Sequence, residues 1–241
     1  MKPWVAVLLG ITSVGCMKRV DPAVERQRVD GFLAENAALR AGLPKDGAPV
    51  PCALEKLKKV APDQVKFQTL YVVDAEQLAV LTSAPPGTAR PDTNREWRFA
   101  NSPVFFMAVD GIQSPLTAKT YSSLAFALEF YVVEPYVAVL VPKVRRMPSS
   151  GDGGFAPGVF DGSLVIMDHA TKLPKCQARL FATNSETVKV KALRVGFVKL
   201  PLGEQMAITD DFKARYKEAA EATARKMTEG QLGLGFPGAS P

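Results

Sequence analysis

Phe160-Asp161-Gly162-Ser163-Leu164-Val165-Ile166-Met167, then Asp168-His169-Ala170-Thr171-Lys172-Leu173-Pro174, then Cys176-Gln177-Ala178-Arg179-Leu180-Phe181-Ala182 carries the strongest strand signal in the chain. Two apolar runs of strand length flank a polar segment that ends in proline, and this pattern predicts a β-hairpin. Val188 to Leu200 adds one or two further strands. The last clear element is a helix, with Ile208, Phe212, Tyr216, Ala219, Ala220, Thr223 and Met227 forming one stripe at helical spacing. Thr209 is its expected cap. Asp210 and Asp211 complement one end of the helix dipole, Arg225 and Lys226 the other, and Gly230 ends it. Strands followed by a helix that needs an apolar surface predict segregated α+β architecture rather than a doubly wound sheet. The fold class expected is α+β: an antiparallel sheet of about five or six strands, with helices packed on one face and an N-terminal helix preceding it.

Upstream of the hairpin the signals are shorter. Asp21-Pro22 opens a helix whose apolar face carries Val29, Phe32, Leu33 and Leu39, with Gly42 and Pro44 as its stop. Its other face is charged, so it reads as a tether, a partner helix, or a helix packed on its own domain. Pro44 to Pro51 is a stiff polar linker. Cys52 to Ala61 reads as a short helix and Val65 to Val73 as a strand, while Glu76 to Leu81 is ambiguous. Ser83 to Asn94 is loop, and Trp97 to Phe99 and Val104 to Val109 are strand candidates. Tyr121 to Val141 is strongly apolar, but Glu129, Glu134 and Pro135 interrupt it, and each is expensive inside lipid. It therefore reads as a helix near Leu116 to Ala127 and a strand from Phe130 into Val144, with Pro135 at a bend. Ser149 to Gly158 is a Gly/Pro-rich loop.

The chemistry-bearing motifs are few. The chain's one histidine, His169, stands in the predicted hairpin turn, where it is expected to be exposed, and no second histidine exists to complete a metal or catalytic set. Gly233-Leu234-Gly235-Phe236-Pro237-Gly238 matches GxGxxG in letters, but it follows a helix and contains proline, the wrong context for a dinucleotide fingerprint. Asp152-Gly153-Gly154 and Asp161-Gly162 read as turns, since the alternating ligands of a calcium loop are missing. Glu129 and Glu134, five residues apart, would face opposite sides of a strand, against their use as a glycosidase pair. Phe105, Phe106, Phe126, Phe130, Tyr131 and Tyr136 read as core, with an apolar ligand pocket as the functional alternative. No catalytic residue, cofactor or metal is assigned. Charge is modestly basic, with 30 cations against 24 acids, but scattered; Lys143-Val144-Arg145-Arg146 is its densest group. A nucleic-acid binder would show a stripe with interleaved aromatics.

The first sixteen residues say most about location. Lys2 precedes a run from Pro3 to Val14 with no charge, and small residues then lead into Cys16. The run is too short to cross a hydrocarbon core, which needs roughly 20 residues in a helix. It reads as a secretory leader, with Ser13-Val14-Gly15 as an ordinary small-x-small cleavage site and secretion the alternative, and Val14-Gly15-Cys16 resembles the end of a bacterial lipoprotein signal. That resemblance implies cleavage before Cys16, acylation of its thiol with chains such as palmitate, and, with Met17 rather than Asp in the next position, sorting to the outer membrane. With Cys16 acylated, Cys52 and Cys176 remain in an oxidising compartment and are expected to pair, two buried thiols being the alternative.

The organisation expected is thus a signal peptide over 1–15, a tether with amphipathic helix and linker over 16–51, one α+β domain over 52–229, and a disordered tail over 230–241. The function expected is that of a membrane-anchored envelope protein with a structural, assembly or accessory role through contacts with another envelope protein. The alternative is a carrier or sensor that binds an apolar ligand in the domain.

Overall fold

In the computed structural model, residues 21–45, 49–52, 69–83, 95–101, 105, 135–151, 154–188, 194–195, 198–199 and 202–234 are described. They form an α+β unit built on a mixed five-stranded sheet. Helix α1 (Pro22–Ala41) is followed by β1 (Thr69–Asp74), α2 (Ala75–Leu81) and a 3-10 turn (Arg95–Ala100). Next come β2 (Tyr136–Arg146), the small hairpin β3 (Ser149–Gly151) and β4 (Gly154–Ala156), and the long strands β5 (Val159–Asp168) and β6 (Pro174–Thr183). A second small pair, β7 (Arg194–Val195) and β8 (Val198–Lys199), precedes α3 (Leu202–Met227) and β9 (Gly233–Leu234).

The sheet runs β6-β5-β2-β1-β9. β2, β5 and β6 form the antiparallel meander expected from the hairpin sequence. β1, however, lies parallel to both β2 and β9, which corrects the all-antiparallel expectation. A parallel neighbour requires a long crossover, and the chain between Asp74 and Tyr136 supplies one.

Helices also cover both faces, not one. Alternation along the strands sends Leu70, Val72, Tyr136, Ala138, Leu140, Phe160, Leu164, Ile166, Cys176 and Leu180 to one side, where Phe212, Tyr216, Ala220 and Ala224 of α3 meet them. Tyr71, Val73, Val137, Val139, Val165 and Met167 point the other way, onto Val29, Phe32 and Leu39 of α1 and Leu78 and Leu81 of α2. A strand buried on both faces reads as a continuous apolar run, and Tyr136 to Leu140 is buried throughout.

Local chemistry explains the element ends. Asp21 caps α1 by accepting from the Ala23 N–H at 2.9 Å, with Pro22 in the first turn. At the far end of α1, a Cβ on Gly42 would collide with the Lys172 carbonyl oxygen, so the helix terminus sits directly against the β5–β6 turn. α3 starts seven residues before the expected cap. Thr209 lies inside it, and its hydroxyl bonds back to the Gln205 carbonyl at 2.7 Å, a tie available to threonine within a helix. Trp97 to Phe99, expected as strand, belongs to the 3-10 turn, which turns both rings onto Phe212 and Tyr216. Asp161-Gly162 is mid-strand, not a turn, and part of the Ser149 to Gly158 loop forms the β3–β4 hairpin. The expected tail is in part ordered. Thr228 takes the Leu232 N–H at 3.1 Å, and Gly233 and Leu234 add a parallel edge to β1. The predictions for Cys52 to Ala61, Val104 to Val109 apart from Phe105, and Leu116 to Ala127 lie outside the described residues.

α1 packs on the sheet and Val50 exchanges backbone hydrogen bonds of 2.9 and 2.8 Å with Gln177, so both belong to the folded unit that the sequence reading began at residue 52. Beside that bridge Cys52 and Cys176 are joined, 124 positions apart. Closing so long a loop restricts the unfolded chain most of all. A Cys52→Ser/Cys176→Ser double variant is therefore expected to unfold about 2–4 kcal/mol more easily in denaturant than the oxidised wild type. Reduction of the wild type should reproduce that loss.

Candidate functional site

A buried ion pair lies at the carboxyl end of β1, the end of a parallel strand where ligands gather in open α/β sheets. Asp74 ends the strand and is wholly buried. Its Oδ1 accepts from the N–H groups of Glu76 and Gln77 at 2.8 and 3.3 Å, which starts α2. Its own N–H donates to Asn101 Oδ1 at 2.7 Å, and Asn101 Nδ2 donates in turn to the Trp97 carbonyl at 3.3 Å. Its second oxygen, Oδ2, faces Arg145 Nη1 at 3.2 Å. Arg145 Nη2 pairs with the half-exposed Glu76, while the guanidinium carbon lies 5.4 Å from the centre of the Trp97 ring, within cation–π range.

Arg145 reaches this position because of a β-bulge. Along β2 the register against β5 is regular through Pro142↔Gly162, then resumes at Val144↔Asp161, which leaves Lys143 as an extra residue. One extra residue reverses the side-chain alternation beyond it. Arg145 then falls on the same face as Tyr136, Ala138 and Leu140, opposite Phe160, instead of on the α1 side. Gly162 makes the bulge possible, since a Cβ there would collide with the Val141 carbonyl oxygen and touch Pro142 Cα at 3.0 Å.

Burial drives the Asp74 carboxyl up to about 6, against the pull of Arg145 and the two backbone donors. Tyr216 of α3 is also buried. That burial, then the charge of Asp74, pushes its phenol well above the ordinary value, so it keeps its proton. Around it Trp97, Phe99, Phe160 and Phe212 pack with ring centres 5.0–6.4 Å from its own. The arrangement can take up and release one proton near pH 6, and it ties β1, α2, the 3-10 turn and β2 together through one charge pair. Both ends of the Arg145 guanidinium are held by carboxylates of the protein itself.

His169 is placed differently from the sequence expectation. It is buried, not exposed, with Nε2 3.7 Å from Glu35 Oε2 of α1. The reason is that α1 lies over the β5–β6 turn, an arrangement that no local signal in the turn encodes. Cys52 and Cys176 are brought together. Cys16, Glu129 and Glu134 lie outside the described residues, as do Phe106, Phe126, Phe130 and Tyr131, whereas Phe105 and Tyr136 are core. Among the described residues no three His, Cys, Asp or Glu side chains are grouped to hold a metal ion, and no helix is long and apolar enough to cross a membrane. Asp74 and Arg145 were not singled out by the sequence as site residues. A signal for Asp74 existed, an Asp directly before Ala75-Glu76-Gln77-Leu78, which is a helix-start pattern. No known protein-family model matches the chain, and neither does any curated protein or solved structure.

Asp74 has a definite pH signature. Its value is raised on folding, so the folded state holds the proton more tightly than the unfolded chain. Its contribution to stability is greatest below the ordinary value of 3.8 and is lost as the pH rises through about 6. The full span corresponds to about 3 kcal/mol. Asp211 works in the opposite sense. Partial burial raises it, but hydrogen bonds from Ser185 and Asn184 and the charge of Arg215 outweigh that and hold it below the ordinary value, so its contribution is lost only in stronger acid. Denaturant unfolding should therefore show wild-type stability falling between about pH 4 and 6, and Asp74→Asn should flatten that window.

Proposed function

We propose that this chain is a lipid-anchored envelope protein, held at the outer membrane by acylated Cys16, with a non-enzymatic role in structure, assembly or as an accessory through contacts with another envelope protein. One observation carries this reading: the chain has three cysteines, two of them are joined to each other, and the third stands directly after the leader-like segment. Disulfides persist in oxidising compartments such as the periplasm, in keeping with an exported chain whose remaining thiol is the lipid acceptor. Several acyl chains, each contributing about 0.8 kcal/mol per buried methylene, anchor a protein durably.

The packing of α1 makes the proposed tether short. Five residues lead from Cys16 to the helix cap Asp21, a reach of roughly 17 Å when extended. The domain would then sit close over the lipid surface. Among the described residues, the chain's own helices and rings pack on both apolar faces of the sheet, which favours action through the outer surface over carriage of an apolar ligand inside. The buried Asp74–Arg145 pair is engaged by internal partners, which favours a structural use of that cluster.

The test is intact mass with acyl labelling of membrane-extracted protein, wild type beside Cys16→Ala. The expected wild-type species begins at Cys16 and carries acyl chains, and the variant loses both the chains and the membrane fraction. An unlipidated, full-length wild type in the soluble fraction would overturn the proposal.

A further inference from the structure

We propose that His169 is a pH-sensitive latch that fastens α1 to the β5–β6 turn. Its backbone N–H donates to the Pro135 carbonyl at 2.9 Å, which fixes the residue beside the start of β2. Its side chain is buried and points at α1, with Nε2 3.7 Å from one carboxylate oxygen of Glu35, while the other oxygen lies 3.7 Å from Lys172 Nζ in the same turn. Two further charged groups belong to this junction. Asp168 accepts from the N–H groups of Ala170 and Thr171 at 3.0 and 2.9 Å and pairs with Lys175 Nζ of β6 at 3.1 Å. Among the described residues, Glu35 of α1 faces the imidazole directly, with Lys172 on the carboxylate's other oxygen and the Asp168–Lys175 pair in the same junction.

The turn itself is a firm base. Lys172 N–H closes it onto the Asp168 carbonyl at 2.8 Å, and the close approach of Gly42 sets the C-terminus of α1 against the Lys172 carbonyl. The described buried face of α1 consists of Val29, Phe32 and Leu39 with Asn36, whose amide donates to the Phe32 carbonyl at 2.7 Å. A neutral imidazole gives Glu35 only a dipolar contact. A proton taken from solvent turns the same contact into an ion pair in a partly dehydrated junction, where charge attraction is far stronger than in water. Lys172 opposes that proton, while Glu35 and Asp168 favour it. Acid therefore tightens α1 onto the sheet, and neutral pH loosens it.

Because the chain holds one histidine, its imidazole Cε1–H resonance is unambiguous. The experiment follows that resonance from pH 8 to 5 in the wild type and in Glu35→Gln, and compares amide exchange of α1, corrected for intrinsic rates, at pH 5.5 and 7.5 in the wild type and in His169→Gln. The latch predicts titration within that range, a midpoint lower by about half a unit or more in Glu35→Gln, and α1 protection about threefold or more higher in acid. His169→Gln should abolish the gain in α1 while leaving any pH response of the α3 face in place. An imidazole neutral down to pH 5, a midpoint unmoved in Glu35→Gln, or α1 protection independent of pH would each overturn the proposal. Should His169→Gln fail to fold, the two titration curves decide alone.

Discussion

A buried carboxylate needs a partner, and Asp74 has Arg145. Without that guanidinium the charge at the end of β1 would face Tyr216 and the aromatic cluster, in a setting where an uncompensated ion costs several kcal/mol. The partner arrives only because β2 carries one extra residue at Lys143, which turns Arg145 onto the α3 face, and the bulge exists only because Gly162 lacks a Cβ. The rest of the architecture depends on this sequence of constraints. β1 is the strand that joins the antiparallel meander to β9, and its end is where α2 begins and where the 3-10 turn is tied through Asn101. A buried pair is no large source of net stability. Its contribution here is to set the register and orientation of the four elements it joins.

The two sides of the sheet are secured by different means. On the α3 side the apolar stripe from Ile208 to Ala224 meets a surface of rings and branched chains, each large buried side chain contributing roughly 1.5–3 kcal/mol. The Cys52–Cys176 bond closes the β6 end of that side, and the segment around Val50 pairs with the strand there. In the first half of α3, Asp211 gathers Asn184 and Ser185 at 2.8–3.1 Å and so fixes the exit of β6 against the helix. The α1 side has, among the described residues, a smaller apolar cluster and a charged junction at Glu35, His169 and Lys172. A domain proposed to stand a few residues above a membrane would thus carry its more adjustable layer next to the anchor.

Local chemistry was legible in the sequence, and the long-range arrangement was not. Asp21-Pro22 and Gly42 bounded α1 correctly, and the Ile208/Phe212/Tyr216 stripe identified the helix that covers the sheet. The β5–β6 hairpin followed from its two apolar runs, and the pairing of Cys52 with Cys176 from cysteine count and inferred compartment. The parallel placement of β1 was invisible because parallel and antiparallel strands share the same alternation until both faces are known to be buried. The bulge was invisible because an extra residue is defined against a partner strand. Asp161-Gly162 resembled a turn for the same reason, since a glycine that admits a close backbone approach looks like a glycine that permits a bend. His169 was misplaced because its burial depends on α1, far away in the chain.

The register of β2 and the start of α2 depend on Arg145 holding the Asp74 charge, and a double-mutant cycle measures that coupling. Unfolding free energies of the wild type, Asp74→Asn, Arg145→Met and the double variant would be compared at pH 7.5, where Asp74 is ionised. The predicted result is a coupling energy above about 1 kcal/mol, with Arg145→Met far more damaging beside Asp74 than beside Asn. Additive losses, with coupling within about 0.3–0.5 kcal/mol of zero, would contradict it and leave Arg145 as a surface side chain resting on Trp97.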